Sequence, residues 1–148
     1  MTPAEALTTG ESIARMQEPS GAIPWPDGHV DAWDHIECAM ALSACGLREP
    51  ARRAYRWLRE TQRADGSWPR SATGGTVTDP AAESHHAAYI AVGAWHEYLV
   101  TGDERLCLTM WPAVRRAVYY RLKRTGHDPR WREFLQDPWL DYDAIGAL

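Results

Sequence analysis

A chain of 148 residues that is 45% hydrophobic and 24% charged is long enough for one domain with a core, and its composition is that of a globular protein. Its net charge of -4 argues against a nucleic-acid binder, which needs a basic stripe to neutralise phosphates, and no apolar run approaches the ~20 residues of a membrane-spanning helix. Cys38, Cys45 and Cys107 are too few and too irregularly spaced for a disulfide framework, and with no apolar leader before the first helix the expected location is the cytoplasm.

Five helices are predicted in chain order. The first covers about Ala4 to Met16 and stops at Pro19-Ser20-Gly21. The second covers about Ala32 to Cys45. Asp31 is its N-cap, since a carboxylate oxygen accepts from the free amides of the first turn, and Gly46 ends it. The third opens at Glu49-Pro50, where the missing N–H of proline costs nothing. Its apolar face is Ala51, Ala54, Tyr55 and Leu58, and it ends near Ala64. A loop rich in Gly, Ser, Thr and Pro spans Ser67 to Thr78. The fourth helix is expected to open at Thr78-Asp79-Pro80 and to stop at Thr101-Gly102, and its stretch from Ala87 to Ala94 is apolar nearly all round. The fifth runs from Asp103 to about Arg124, with Pro112 as an expected kink or restart.

The second and fourth helices are small and Ala-rich; the first, third and fifth carry charge on one face. That alternation suits inner helices enclosed by protein and outer helices half exposed to water. The expected fold class is therefore all-α, with helical hairpins forming part of an α/α-toroid. The toroid part is expected over residues 1–131, leaving 132–148 as an aromatic, acidic tail that holds Trp139, Asp141, Tyr142 and Asp143. The basic clusters Arg48–Arg63 and Arg115–Arg124 read as solvated helix faces.

A segment recurs. Gln17-Glu18-Pro19-Ser20-Gly21 returns forty-five positions later as Gln62-Arg63-Ala64-Asp65-Gly66, and each copy is followed by a Trp, Trp25 or Trp68. An eroded third copy aligns Trp131 with Trp68. A glutamine near a helix C-terminus can satisfy unpaired backbone groups there, and glycine permits the positive φ that follows. Gln17, Gly21, Trp25, Gln62, Gly66 and Trp68 are thus expected to clamp neighbouring hairpins.

The run Arg53-Ala54-Tyr55-Arg56-Trp57-Leu58-Arg59-Glu60-Thr61-Gln62-Arg63-Ala64-Asp65-Gly66-Ser67-Trp68 resembles the QW repeat of squalene and hopene cyclases, and more widely the terpenoid cyclase and protein prenyltransferase α/α-toroid superfamily. The resemblance implies a domain acting on an isoprenoid substrate. The chain departs from the family in lacking an Asp-x-Asp-Asp motif and any convincing zinc-ligand set. Six-hairpin glycosidases share the architecture and give the alternative, a carbohydrate substrate. A third reading is a non-catalytic fragment. Neither a metal nor a cofactor is expected. A homo-oligomer, or a partner chain that completes the barrel, is.

Candidate chemistry gathers where the inner helices begin. Asp31, Trp33, Asp34, His35 and Glu37 open the second helix, and Asp34 and Glu37 at i,i+3 face the same way. Paired carboxylates are what glycoside hydrolysis needs; they also suit a carbocation, or simple capping. Asp34, Glu37, Glu83 and His35 are the catalytic candidates. Asp31, Trp33, His86, Tyr89 and Trp95 are the substrate-binding ones, the aromatics being open to a core role as well. Asp79, Glu83, His85 and His86 are expected to meet the first cluster on one rim, with a spacing that matches no specific zinc motif. Eight Trp and six Tyr against one Phe suit a cavity lined for sugars or isoprenoids, or a core of wedged aromatics.

Overall fold

The computed structural model describes residues 2–125, and within them the fold is all-α, as the alternation of helix types predicts. The elements are α1 (Pro3–Met16), β1 (His29–Val30), α2 (Ala32–Ala44), α3 (Arg48–Thr61), β2 (Ser71–Thr73), β3 (Thr76–Asp79), α4 (Ser84–Thr101) and α5 (Glu104–Thr125). Thr2 caps α1 reciprocally with Glu5, and Asp31 caps α2 by accepting from the Asp34 amide. α5 runs unbroken through Pro112. The expected tail and the third repeat copy lie outside the described residues.

α2 and α4 lie side by side as the inner pair. α1 and α3 pack on α2, and α5 packs on α4. The shared core is Ile36, Ala39, Leu42, Tyr55, Leu58, Ile90 and Met110, all essentially without solvent contact. α2 and α4 approach closely because Gly93 has no side chain. A Cβ there would stand 2.6 Å from Ile36 Cγ2, and the Tyr55 hydroxyl donates to the Gly93 carbonyl at 2.8 Å. Lower in the same seam the buried Glu97 accepts from Ser43 Oγ.

The expected loop at 67–78 contains structure. β1, β2 and β3 form a small antiparallel sheet in that order, with His29 opposite Thr73 and Thr73 opposite Thr76. Gly74 and Gly75 both have positive φ, the backbone of a two-residue hairpin turn. This sheet also corrects the predicted start of the fourth helix. Residues Thr76–Asp79 are strand, and α4 begins only at Ser84, behind Pro80. The strands bring the entrances of α2 and α4 to the same end of the molecule.

The outer helices are joined by one device used twice. Gln17, just past α1, donates from Nε2 to the carbonyls of Gly21 (3.1 Å) and Pro50 (2.9 Å), and its Oε1 accepts from Arg53 at 2.6 Å. Gln62, just past α3, donates to Gly66 (3.1 Å) and Ala113 (2.9 Å) and accepts from Arg116 at 2.6 Å. Each outer helix is thereby tied to the next, α1 to α3 and α3 to α5. The glycine matters twice: Gly66 has φ +91°, and a Cβ on it would meet the Arg116 carbonyl oxygen at 2.3 Å. The two tryptophans do not correspond. Trp68 is buried, with its Nε1 on the Leu58 carbonyl, and the residue one repeat before it is Ile23, also buried. Trp25 is about half exposed and turns toward Asp31.

Gly46 separates the two effects of glycine, because its φ is +76° with nothing near a would-be Cβ. Gly46→Ala is expected to cost about 1 kcal/mol, the backbone term alone. Gly66→Ala is expected to cost at least twice that, on the order of 3 kcal/mol, since backbone must also move. Urea unfolding of the two variants measures this, and equal losses would remove the close approach from the account.

Candidate active site

The N-terminal turns of α2 and α4 form one rim. Trp33 lies flat on Tyr89, with ring centres 4.2 Å apart and planes within 2°. Both reach Glu37: Trp33 Nε1 donates to Oε1 at 2.8 Å, and the Tyr89 hydroxyl to the same oxygen at 3.3 Å. The other edge of Trp33 meets the rings of His85 and His86 at 5.5 and 5.6 Å. Glu83 sits behind them, with Oε2 3.2 Å from His85 Nε2 and 3.5 Å from His86 Nε2. Arg70, which also pairs with Asp79, holds Glu83 Oε1 at 2.8 Å. Burial and the neighbouring His85 lower the pKa of His86.

Glu83, His85 and His86 bring three metal-ligating atoms within 4.8 Å of one another. Arg70 takes one carboxylate oxygen of Glu83 and the other lies against both imidazoles, with His85 and Arg70 about half exposed; three ligands are one fewer than a structural zinc site uses and the number that a catalytic one uses.

Asp34 lies in the first turn of α2, beside a cleft of about 370 Å³ between α1, the 23–26 segment and α2. Burial, together with a side-chain hydrogen bond to Asp31 and the charges of Asp31 and Glu37, pushes its carboxyl up to about 6. Asp31 itself is buried, spent on the Asp34 amide at 2.9 Å and on Trp25 Nε1 at 3.2 Å. Trp25 in turn stacks on His29, with ring centres 5.5 Å apart.

The structure thus brings together Asp31, Trp33, Asp34, Glu37, Glu83, His86 and Tyr89 from the sequence-derived candidates. It separates two. His35 is fully buried. Its Nδ1 accepts from the Ile23 amide (3.2 Å) and its Nε2 meets the Ala54 carbonyl (3.0 Å), so neither nitrogen faces the rim. Burial lowers its pKa to about 4 and keeps it neutral. Sharing a helix turn with Asp34 misplaced it. Trp95 is well exposed and lines a different, apolar hollow between α4 and α5, with Tyr98, Leu108 and Trp111. Arg70 and Trp25 are rim residues that the reading for chemistry passed over. Arg70 carried no signal in its loop, and Trp25 was absorbed into the repeat.

Inner helices that start at a common rim bearing carboxylates and aromatics are the layout of an α/α-toroid enzyme, and similarity to known proteins says of which class. Residues 32–147 match the family model of the bacterial alpha-L-rhamnosidase 6 hairpin glycosidase domain, and the chain belongs to that family. It is 52% identical over 119 residues to the MMP endo-(1,4)-3-O-methyl-alpha-D-mannosidase of Mycolicibacterium hassiacum, a match that covers 80% of this chain and 33% of that relative. The chain therefore spans about a third of the length of this curated relative. These findings overturn the resemblance to terpenoid cyclases and protein prenyltransferases, and with it the isoprenoid substrate. The physical reason lies in the repeat. A glutamine that ties one outer helix to the next answers a need of stacked helical hairpins in general, and carries no information about the cavity.

The buried, neutral His35 sets a pH dependence. Its folded pKa is depressed, so below about 6.5 the unfolded chain takes up a proton that the folded chain refuses, and stability falls as pH drops toward 4. Between pH 7 and pH 5 this should remove about 2 kcal/mol. Denaturant unfolding of wild type and His35→Gln at both pH values checks it: the variant should be less stable at pH 7 but lose less on acidification, and parallel losses would show that His35 is not the source.

Proposed function

We propose that this protein acts as a glycoside hydrolase on α-linked mannosides, of the 3-O-methylated (1→4) kind named for its relative, and that Asp34 is the proton donor. The observation that carries the reading is Asp34 itself. It is a carboxyl at the open end of an inner helix, beside a cleft, with a pKa raised to about 6 by burial and by Asp31 and Glu37. A group with that pKa still holds protons at mildly acid pH and can deliver one to a leaving glycosidic oxygen. Glu37 is the partner carboxylate. Its Oε1 is fixed by Trp33 and Tyr89, and its charge helps to keep the proton on Asp34. The Trp33–Tyr89 stack and the paired histidines offer a flat face and polar edges to a sugar ring, and Glu83 acts by holding His85 and His86.

A second reading has its own observation. Trp95, Leu99 and Leu108 leave an exposed apolar strip on the α4–α5 side, and such strips are covered in stable proteins. On that reading the chain associates with a second copy to extend the ring. Light scattering tests it: a dimer supports association, and a monomer at high concentration counts against it.

For the hydrolase, Asp34→Asn should lower kcat by a factor of about 10² to 10⁴ on a 3-O-methylated α-mannoside oligomer, the usual worth of a general acid. Glu37→Gln should lower it as well. The wild-type kcat/KM should decline as pH rises through about 6, where Asp34 loses its proton. Full activity of Asp34→Asn on a verified substrate would assign the proton transfer elsewhere.

A further inference from the structure

The cleft beside Asp34 is unusual for a sugar site in what it lacks. A pyranose carries a hydroxyl on most of its carbons, and each needs a partner when taken out of water. The polar side chains on this cleft are Asp34 and Glu37, and the indole N–H of Trp25, which also lines it, is already spent on Asp31. The remaining wall is apolar. Ile13 and Met16 come from the last turn of α1, and Pro24 and Pro26 from the segment that leads to β1. Cys38 and Ala41 form the floor. Burial pushes the Cys38 thiol up to about 11, so it stays an uncharged, weakly polar contact.

Such a cleft has polar groups at one end and none on the facing wall. The ring edge that fits against that wall best is one carrying a group with no proton to donate and with apolar surface to bury. A methyl ether is that group. We propose that the wall of Ile13, Met16, Pro24 and Pro26 is a specificity surface that recognises an O-methyl substituent on the sugar bound next to Asp34, and that it discriminates against the same sugar with a free hydroxyl. The proposal rests on the hydrolase reading for its substrate class and adds the residues that select the methylated form. Met16 and Pro26 are exposed at the cleft, so they can be changed without disturbing the core.

The test compares matched (1→4)-α-D-mannose oligomers, 3-O-methylated and unmethylated, on wild type, Met16→Gln and Pro26→Ser. It is paired with ligand-observed NMR of methyl 3-O-methyl-α-D-mannopyranoside on the same samples. Wild type should favour the methylated oligomer by about 10-fold or more in kcat/KM, the range that a small apolar group in an apolar pocket provides. Both variants should lose most of that ratio, chiefly through the methylated substrate. In the NMR experiment the 3-O-methyl protons should show stronger saturation transfer than the glycosidic methyl and the ring protons, weakened in Met16→Gln. A wild type that cleaves both oligomers equally, or variants that keep the full ratio, would overturn the methyl-selecting wall and leave the hydrolase standing. If neither oligomer is cleaved the hydrolase reading fails, and the NMR result alone then decides: preferential contact at the 3-O-methyl group over the glycosidic methyl, reduced by Met16→Gln, sustains the wall, and its absence rejects it.

Discussion

A glutamine at the end of one outer helix can reach the backbone of the next outer helix only if nothing stands between the two. Gly21 and Gly66 provide that clearance. Each puts a backbone turn where a Cβ would meet the carbonyl oxygen of Arg53 or Arg116, at 2.5 and 2.3 Å. The arginine side chain of that same residue closes the contact on the glutamine Oε1. Three outer helices are thereby held at a fixed spacing, and the two inner helices have one way to fill the space between them: side by side, with Gly93 against Ile36 and Tyr55. Hydrogen bonds in such a place contribute about 1 kcal/mol each. Their importance is that they set distance and register, which the apolar faces of α2 and α4 do not.

Once the inner helices are parallel neighbours, their first turns must share a rim, and the chemistry follows from what that rim carries. Trp33 of α2 and Tyr89 of α4 meet face to face and converge on Glu37. The small sheet delivers Arg70 and Asp79 to the start of α4, where Arg70 steadies Glu83 and through it two imidazoles. Asp34 sits where burial and two neighbouring carboxylates all oppose its ionisation. Asp31 serves the fold as the cap of α2, while the crowding of Asp31, Asp34 and Glu37 at one helix start is what makes Asp34 hold its proton, the property on which the proposed function rests.

Much of the architecture was legible in the residues. Asp31 reads as a cap because its carboxylate precedes the first turn of an apolar run, though it is also a substrate-binding candidate, and α2 and α4 read as inner helices because their apolar residues are not confined to one stripe. The forty-five-residue echo of Gln17 in Gln62 showed that a device was repeated, but two things hid its meaning. Arg53 and Arg116, its third members, look like ordinary surface charges until the helices are stacked. The pattern also occurs in another enzyme class for the same mechanical reason, which is how it pointed to an isoprenoid substrate. The strand at Thr76–Asp79 was obscured by Asp79-Pro80, which mimics a helix start. His35 was misjudged because one helix position separates it from Asp34, and that rotation of about 100° carries it from the rim into the core.

The raised pKa of Asp34 is the point on which fold, site and chemistry meet. Its direct measurement is the titration of the Asp34 side-chain carboxyl carbon by ¹³C NMR from pH 3 to pH 8, assigned by its absence in Asp34→Asn. A midpoint near 6, moving down when Glu37→Gln removes a neighbouring charge, is the result expected of a proton donor built by burial and like charges. A midpoint close to the ordinary 3.8 of an aspartate, unmoved by that substitution, would mean that Asp34 is an ionised surface group and that the acid lies elsewhere.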